Sequence, residues 1–276
     1  MRISLRSIIR AALAWDPVVF GWARRFSLKA GFGEKNESDY LFDVARSQRD
    51  VFVLQVGAND GQRHDELNPF IHRCRWRGLL LEPLPDVFTI LQSNYAGRKN
   101  ITLVNAALSD RDGEMTLYRV RPGPDVPGHF QELASFYRDQ VVKHGSALPE
   151  IDRHVIAETV KAISFPALVR EHCIERIDVM VIDAEGYDFE ILKMMDIRLF
   201  RPRLVLYEHF ALSGEDRDSA ALLLASLGYK VYQIRNGNGN TAAVYETSQN
   251  PSTTLSSCAG EGNASGSCGG RESRCK

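Results

Sequence analysis

The pattern of apolar and polar positions is most informative over residues 51–62, VFVLQVGANDGQ. An apolar run without regular polar alternation, closed by turn residues, is typical of a buried strand in a parallel sheet. Gly57 and Gly61 follow the run with Asn and Asp between them, so the backbone can turn tightly and approach a ligand. Asn68 and Pro69 then predict the start of a helix. Strand, glycine turn and helix in this order indicate the nucleotide-binding corner of a doubly wound sheet.

The same patterning predicts further strands and helices along the chain. Apolar runs predict strands at 51–56, 79–82, 101–107, 115–120, 178–183 and 204–208. Periodic apolar positions predict helices at 38–49, 68–75, 85–95, 187–195 and 216–227. Two final strands, 229–235 and 241–246, flank an Asn-Gly-rich turn and predict a hairpin. The predicted fold is α/β: a Rossmann-like, doubly wound and mostly parallel sheet with a C-terminal antiparallel hairpin.

Polar residues follow several of the predicted strands. Glu82 ends the second strand about 20 residues beyond Gly61, where such folds place a carboxylate that accepts hydrogen bonds from ribose hydroxyls. Asp183 ends a later buried strand, and Glu185 follows it closely. His209 follows the next strand, and an imidazole is suited to proton transfer near neutral pH. Because ligands bind outside the carboxyl ends of strands in open α/β sheets, we expect the functional site at this edge.

The glycine turn limits the class of cofactor. A dinucleotide fingerprint has three glycines, G-x-G-x-x-G, whereas this turn is G-x-x-x-G and carries Asp60. An acid here would repel a pyrophosphate but suits a positively charged cofactor without phosphate, such as S-adenosylmethionine. The chain has no G-x-x-x-x-G-K-[ST] sequence, which excludes a P-loop NTPase. Methyl transfer is favoured, and a nicotinamide-dependent oxidoreductase or a non-catalytic binding scaffold are the alternatives.

Composition and charge add few constraints. The chain has 276 residues, 44% of them hydrophobic, and a net charge of −1. These values predict one ordinary domain with extensions and give no general reason to expect a nucleic-acid partner. The five cysteines show no spacing typical of zinc sites. Cys74 and Cys173 lie inside apolar patterns and are expected to be buried thiols, so a reducing, cytoplasmic location is the simplest interpretation.

The predicted domain spans residues 38–246, and three segments inside or beside it differ from the rest in composition. Residues 1–37 are basic and amphipathic, which favours either a peripheral contact with an anionic membrane surface or a helix packed on the domain or a partner. Residues 247–276 are rich in Ser, Gly, Asn and Cys, which predicts a low-complexity, disordered tail. Pro and Gly interrupt 121–150, a long insertion that would be either a lid over the strand ends or a mobile surface loop.

Several segments, in family order, resemble the FkbM-type methyltransferase family. They are VFVLQVGANDGQ, LLLEPLP, NAALSDRDGEMTLY, ASFYRDQVVKH, IDVMVIDAEGYDFEILKMMD and RPRLVLYEHF. The D-A-E-G sequence at 183–186 is the most specific feature. The resemblance implies a class I S-adenosylmethionine-dependent fold and O-methylation of a small molecule or glycan, with a sugar hydroxyl favoured. One departure is S-F-P at 164–166, where the family tends to have T-L-D, so this chain lacks that carboxylate.

The resemblance implies roles for the residues of the glycine turn. Gly57, Ala58, Asn59 and Gly61 would wrap the methionine part and the ribose edge of S-adenosylmethionine. Asp60 would either face the ammonium group of the cofactor or simply solvate the turn. The turn is therefore expected to be the main cofactor-binding loop.

The remaining candidates concern the ribose, the adenine and the reaction. Glu82 would bind the ribose, and three residues would lie beside the adenine: Asn105, Ala107 and Ser109. Asp183 would contact the ammonium group of the cofactor or accept the substrate proton, and His209 is the other candidate base. Glu185 would either belong to the catalytic centre or stabilise the start of the following helix through its dipole. No metal is predicted, because nothing in the pattern fixes a metal geometry around Asp183, Glu185, Glu208 and His209. The other histidines are expected on the surface or in the core: His64, His72, His144, His154 and His172.

Overall fold

A computed structural model describes residues 34–124, 126–127, 130, 133–234 and 239–246. The predicted disordered tail and most of the basic N-terminal segment, including its proposed membrane contact, lie outside these residues. All described helices and strands belong to one compact unit, which ends at Tyr245. Within the described ranges, no helix is both long and apolar enough to cross a membrane.

Strands and helices alternate along most of this unit. The described strands are β1 (Phe52–Val56), β2 (Arg77–Leu81), β3 (Ile101–Val104), β4 (Ala107–Ser109), β5 (Gly113–Val120), β6 (Ala134–Ser135), β7 (Val155–Ser164), β8 (Val179–Ile182), β9 (Leu204–Glu208), β10 (Tyr229–Gln233) and β11 (Asn240–Tyr245). The described helices are α1 (Glu37–Ser47), α2 (Asn68–Arg73), α3 (Pro85–Asn94), α4 (Arg138–His144), α5 (Ile151–His154), α6 (Phe165–Glu171), α7 (Asp188–Met194), α8 (Ile197–Phe200) and α9 (Gly214–Ser226).

The main sheet contains seven of the described strands, in the order β10-β11-β9-β8-β1-β2-β3. β1 lies at the centre and pairs in parallel with β2 and β8, so that Leu54 is opposite both Leu79 and Met180. β11 is antiparallel to β9 and to β10. This mostly parallel sheet with a C-terminal antiparallel hairpin confirms the predicted fold class.

Apolar residues cover both faces of the central strands. Leu54 and Met180 belong to one buried cluster, and Val53 and Leu80 belong to a second cluster that also contains Phe70 of α2. Strands buried on both faces have nearly continuous apolar sequences, which is why these strands could be predicted. Because β1, β2 and β8 are parallel neighbours, their carboxyl ends meet at one edge of the sheet, and the loops that follow them converge there.

A second, smaller sheet contains four of the described strands, in the order β4-β7-β5-β6. β5 and β7 are antiparallel along their length, from Gly113 opposite Ala162 to Val120 opposite Val155. The sequence pattern predicted β5 but assigned no strand to 155–164. The reason is that much of β7 is exposed, so its apolar residues do not form a continuous run.

The predicted strand at 101–107 is corrected by the structure, which divides this segment between the two sheets. β3 ends at Val104 and β4 begins at Ala107. Between them, the side chain of Asn105 donates hydrogen bonds to the carbonyl oxygens of Glu82 (2.8 Å) and Pro83 (3.0 Å). These bonds hold the chain against the loop after β2 at the place where it passes from one sheet to the other.

Two smaller expectations are also corrected. Asn68 does not cap helix α2, because the N-cap is Leu67, whose backbone N–H donates to the carboxylate of Asp65 (2.8 Å). Cys173 is not a buried thiol, because it is exposed and disulfide-bonded. Cys74 is a half-buried thiol.

Candidate functional site

A cleft lies at the carboxyl ends of β1, β2 and β8. It has a volume of about 720 Å³, including space open to solvent. The loops after the three strands supply its polar lining: Gly57, Asn59, Glu82, Asp183 and Glu185. The second sheet and helix α3 supply much of its apolar lining: Leu84, Val87, Ala107, Leu117, Ala134 and Phe136. The cleft is therefore polar along the strand ends and apolar on the opposite wall.

Gly57 brings the turn after β1 against the end of β8. Its φ is +79°, and a Cβ at this position would lie 1.8 Å from the carbonyl oxygen of Asp183. The backbone N–H groups of Gly57 and Ala58 both donate to the carbonyl oxygen of Leu81, at 3.1 and 2.9 Å. The turn thus joins the ends of β2 and β8, and only glycine fits at this contact.

Glu82 is a buried carboxylate at the base of the cleft, with only 6% of its surface exposed. One oxygen accepts a hydrogen bond from the backbone N–H of Leu84 (2.9 Å), and the other accepts from that of Asn59 (3.0 Å). Burial raises the pKa of Glu82 to about 7, although these two bonds act against the shift. Since each carboxylate oxygen can accept more than one hydrogen bond, both retain capacity for ligand hydroxyls.

Carboxylates are concentrated around the loop after β8. Asp183 is exposed to the space of the cleft, although protein surrounds it on its other sides. This enclosure, followed by the charge of Glu185, raises the pKa of Asp183 well above its ordinary value. Asp188 is fully buried and accepts from the backbone N–H groups of Gly186 (3.3 Å) and Glu208 (3.2 Å). Burial raises the pKa of Asp188 to about 7 and that of Glu208 to about 10.

A second cavity adjoins the first, because Gly57, Asn59 and Asp183 line both. It has a volume of about 670 Å³, including space open to solvent, and four carboxylates line it together with Arg63 and His64. Its other carboxylates are Glu37, Asp65 and Glu66. Burial raises the pKa of Asp65 to about 6 and that of Glu66 to about 7. Asp183 therefore lines both the first cleft and the second cavity.

Three predicted residues of the glycine turn do not line the first cleft. The carboxylate of Asp60 accepts from the backbone N–H groups of Gln62 and Arg63, both at 2.8 Å, and Asp60 lines neither cavity. Gly61 faces helix α3, where an added Cβ would lie 2.5 Å from the ring of Tyr95. Ala58 is buried and lines only the second cavity.

Three further predicted residues line neither cavity. Asn105 has a structural contact, since its amide binds the loop after β2. Ser109 is fully buried, and its hydroxyl donates to Asp110 (3.1 Å). Nδ1 of His209 lies 2.8 Å from the hydroxyl of Thr241, away from the cleft lining. Of the predicted catalytic residues, the cleft brings together only Asp183 and Glu185.

The insertion contributes two residues that the sequence pattern did not identify. The hydroxyl of Ser135 donates to the carbonyl oxygen of Glu185 (2.7 Å), and Nδ1 of His144 lies 3.3 Å from its carboxylate. Between them, Phe136 lines the cleft and packs on Tyr187, with ring centroids 4.6 Å apart. Two residues of the described part of 121–150, Ala134 and Phe136, therefore line the cleft. The family-like segment ASFYRDQVVKH contains both residues and was the only sequence signal for them.

Among the described residues, no group of three or more His, Cys, Asp and Glu side chains is arranged to hold a metal ion. The strand order, with an antiparallel strand inserted next to β9, and the cleft at the ends of β1 and β2 define the class I methyltransferase fold. The chain belongs to the FkbM methyltransferase family, because the family model described as "Methyltransferase FkbM domain" matches residues 55–231. This confirms the resemblance found in the sequence.

Known relatives agree with this assignment. The chain is 25% identical over 217 residues to methyltransferase sdnD of Sordaria araneosa, a match that covers 72% of this chain and 81% of the relative.

Solved structures of low sequence identity are also similar. The methyltransferase FkbM from Methylobacillus flagellatus is 13% identical, with a TM-score of 0.44 over 71% of this chain. This chain spans only 43% of that protein. Fibrillarin from Aeropyrum pernix, solved with natively bound S-adenosyl-L-methionine, is 12% identical with a TM-score of 0.37, covering 71% of this chain and 67% of fibrillarin.

Proposed function

We propose that this protein is an S-adenosylmethionine-dependent O-methyltransferase that methylates a hydroxyl of a small molecule or glycan, with a sugar hydroxyl favoured. The observation that carries the proposal is the buried carboxylate of Glu82. The backbone N–H groups of Asn59 and Leu84 hold it at the base of the cleft. A fixed carboxylate at the end of the second strand suits the hydroxyls of a ribose.

The two cavities suit different parts of the cofactor. The adenine would lie against the apolar wall beside Leu84, Ala107 and Phe136, and the ribose would be bound by Glu82. The sulfonium and ammonium groups are positive, and they would lie toward Asp183 and the acidic second cavity. Bound S-adenosylmethionine would supply an already activated methyl group.

The protein's part in the reaction would be alignment and proton removal. Orienting two bound partners can supply roughly 7–11 kcal/mol of rate enhancement. A general base adds roughly 10²–10⁴-fold, since an alcohol is a weak acid. Asp183 and Glu185 line the cleft, whereas His209 does not, so the two carboxylates are the candidates for contact with the acceptor.

The alternatives fit the cleft less well. A nicotinamide dinucleotide carries a pyrophosphate, and none of the described residues that line the first cleft is a lysine or arginine that could bind it. A non-catalytic scaffold would not need a carboxylate fixed by two backbone N–H groups at the cofactor site.

Calorimetric titration with S-adenosylmethionine tests the proposal. We expect micromolar binding by the wild-type protein and no binding of NAD⁺. Glu82→Ala should weaken binding about tenfold or more, because hydrogen bonds to a charged group contribute roughly 1.5–3 kcal/mol. Glu114→Ala, at an exposed position of β5, is the control and should bind like wild type. Absence of S-adenosylmethionine binding, or equal binding by Glu82→Ala, would contradict the proposal.

A further inference from the structure

The two edges of the main sheet carry opposite charges. The loops that leave β1, β2 and β8 surround the cleft, and they contain six carboxylates but only one arginine, Arg63. The carboxylates are Asp60, Asp65, Glu66, Glu82, Asp183 and Glu185. The loops that lead into the parallel strands lie at the other edge, because β1, β2, β3, β8 and β9 all run in the same direction.

This other edge, called the basic edge below, consists of five loops: 48–51, 74–76, 95–100, 172–178 and 201–203. Each loop carries an exposed cation, and these are Arg49, Arg75, Lys99, Arg176 and Arg201. Arg98 and Arg203 bring the cations to seven, against three carboxylates: Asp50, Glu175 and Asp178. The edge is therefore positive in a chain whose net charge is −1.

Backbone hydrogen bonds join the five loops into one continuous surface. Neighbouring strands are linked where they begin by N–H donation from Arg203 to Asp178, Asp178 to Phe52, Arg77 to Val51 and Gly78 to Asn100, at 2.8–3.1 Å. Five adjacent strands at the usual spacing span about 19 Å. The basic edge is thus a broad surface and not a local pair of charges.

Two of the three carboxylates on this edge are paired within it. Asp50 binds both Arg77 (3.0 Å) and Arg176 (2.8 Å), and Asp178 also binds Arg176 (3.2 Å). The remaining cations therefore give the edge an excess of positive charge, and such a surface attracts polyanions.

Two features favour an anionic lipid surface over a nucleic acid as the polyanion. Leu199 of α8 is 72% exposed, and it lies in the chain between Arg198 and Arg201, next to the last of the five loops. An apolar side chain among cations suits the boundary between lipid headgroups and acyl chains. The two aromatic residues in the loops, Trp76 and Tyr95, are buried, so neither ring can stack on a base.

We propose that the basic edge is a docking surface for an anionic membrane, with Leu199 entering the headgroup region. Repulsion between the acidic edge and the headgroups orients the docked protein, so that its cleft opens toward the aqueous side. The docking surface is remote from the cleft, and the inference does not depend on the proposed methyl transfer.

Sedimentation of the full chain with lipid vesicles tests the proposal. We expect at least about tenfold tighter binding to phosphatidylcholine vesicles that contain phosphatidylserine than to those without it, and weaker binding at high salt. The triple variant Arg49→Gln, Arg75→Gln, Lys99→Gln should bind the anionic vesicles about tenfold more weakly or worse, because each cation near the surface contributes.

The matched control removes three exposed cations outside the basic edge, by Arg111→Gln, Lys143→Gln and Lys161→Gln. It has the same net charge as the first triple variant and should bind within about twofold of wild type. All variants keep residues 1–37, so the basic N-terminal segment is the same in each. Equal binding by the two triple variants, or no preference of the wild type for phosphatidylserine, would overturn the proposal.

Leu199→Ala separates a lipid surface from other polyanions. It should weaken binding to the anionic vesicles about threefold or more, whereas Leu222→Ala, at a position 70% exposed on α9, should have no effect. Equal binding by these two variants would contradict the entry of Leu199 into the headgroup region. Tighter binding of a short DNA duplex than of the vesicles, lost in the triple variant of the basic edge, would assign the edge to nucleic acid instead.

Circular dichroism of each variant checks that it is folded. If the triple variant of the basic edge does not fold, the single variants Arg75→Gln and Lys99→Gln replace it in the same assay, each with an expected loss of about threefold or more. Wild-type binding by both would overturn the proposal. A failure of the protein to bind S-adenosylmethionine would contradict only the proposed function.

Discussion

Gly57 shows how one residue determines the geometry of the cleft. Its position allows the turn after β1 to touch the carbonyl oxygen of Asp183 and to bind Leu81 through its backbone N–H. These contacts bring the ends of three strands together, and Glu82 and Asp183 follow two of them. The position of the loop after β1 thus depends on the absence of a side chain.

Gly57→Ala should therefore abolish the site, whereas Gly97→Ala should not. Both glycines have positive φ, at +79° and +78°, but an added Cβ meets Asp183 at Gly57 and nothing within 4 Å at Gly97. Gly97→Ala is expected to cost about 1–2 kcal/mol of unfolding free energy from backbone strain. Gly57→Ala is expected to cost about 1–3 kcal/mol more, because the added Cβ overlaps the backbone of Asp183, and to remove S-adenosylmethionine binding. Urea denaturation and calorimetry of both variants check this, and equal effects would contradict it.

Glu82 should also make stability depend on pH. Its pKa in the folded, unliganded protein is about 7, compared with an ordinary 4.5, so the folded state binds the proton more tightly than the unfolded chain. Its contribution to stability is fully present below about pH 4.5 and is lost as the pH rises through about 7, amounting to roughly 3 kcal/mol.

Glu82→Gln removes this titration. Its free energy of unfolding should therefore fall less than that of wild type between pH 5 and pH 8. Urea denaturation across this range measures both curves. Parallel curves for the two proteins would show that Glu82 does not titrate in this way.

At the level of elements, a buried cation links the second sheet to helix α3. Arg119 of β5 has a side chain only 2% exposed, and it binds Asp86 of α3 (2.7 Å) and Glu158 of β7 (3.2 Å). Helix α3 also carries Val87, which lines the cleft. The ion pair therefore connects the second sheet to the apolar wall where the adenine is proposed to lie.

Asp86→Ala should weaken this connection. The substitution removes hydrogen bonds to the buried guanidinium of Arg119, and we expect the free energy of unfolding to fall by about 1–2 kcal/mol. This loss is smaller than that for a fully buried pair, because the Asp86 side chain is 51% exposed. Asp43→Ala is a matched control, since that carboxylate is 46% exposed and pairs with the exposed Lys35 at 2.7 Å. The control should change stability by less than about 0.5 kcal/mol. Thermal or urea denaturation compares them, and equal losses would show that Asp86 acts only as a surface charge.

Across the whole molecule, the sequence predicted those features that depend on local pattern. The runs of β1, β2, β8 and β9 are apolar because both sheet faces are covered, and their carboxyl ends place Glu82 and Asp183 at the cleft. The exposed strand β7 gave no such pattern. The contacts of Ser135 and His144 with Glu185 span 50 and 41 residues, so no spacing rule identifies them. Tertiary contacts of this kind follow from topology and not from periodicity.

A structure of the protein bound to S-adenosylhomocysteine tests the central claim most directly. We predict that both ribose hydroxyls lie within hydrogen-bond distance of the Glu82 carboxylate, at about 2.5–3.0 Å. The amino-acid end should lie over Gly57 toward Asp183, with the adenine against Phe136. A ligand bound elsewhere, or a ribose that makes no contact with Glu82, would contradict the account of this cleft as the cofactor site.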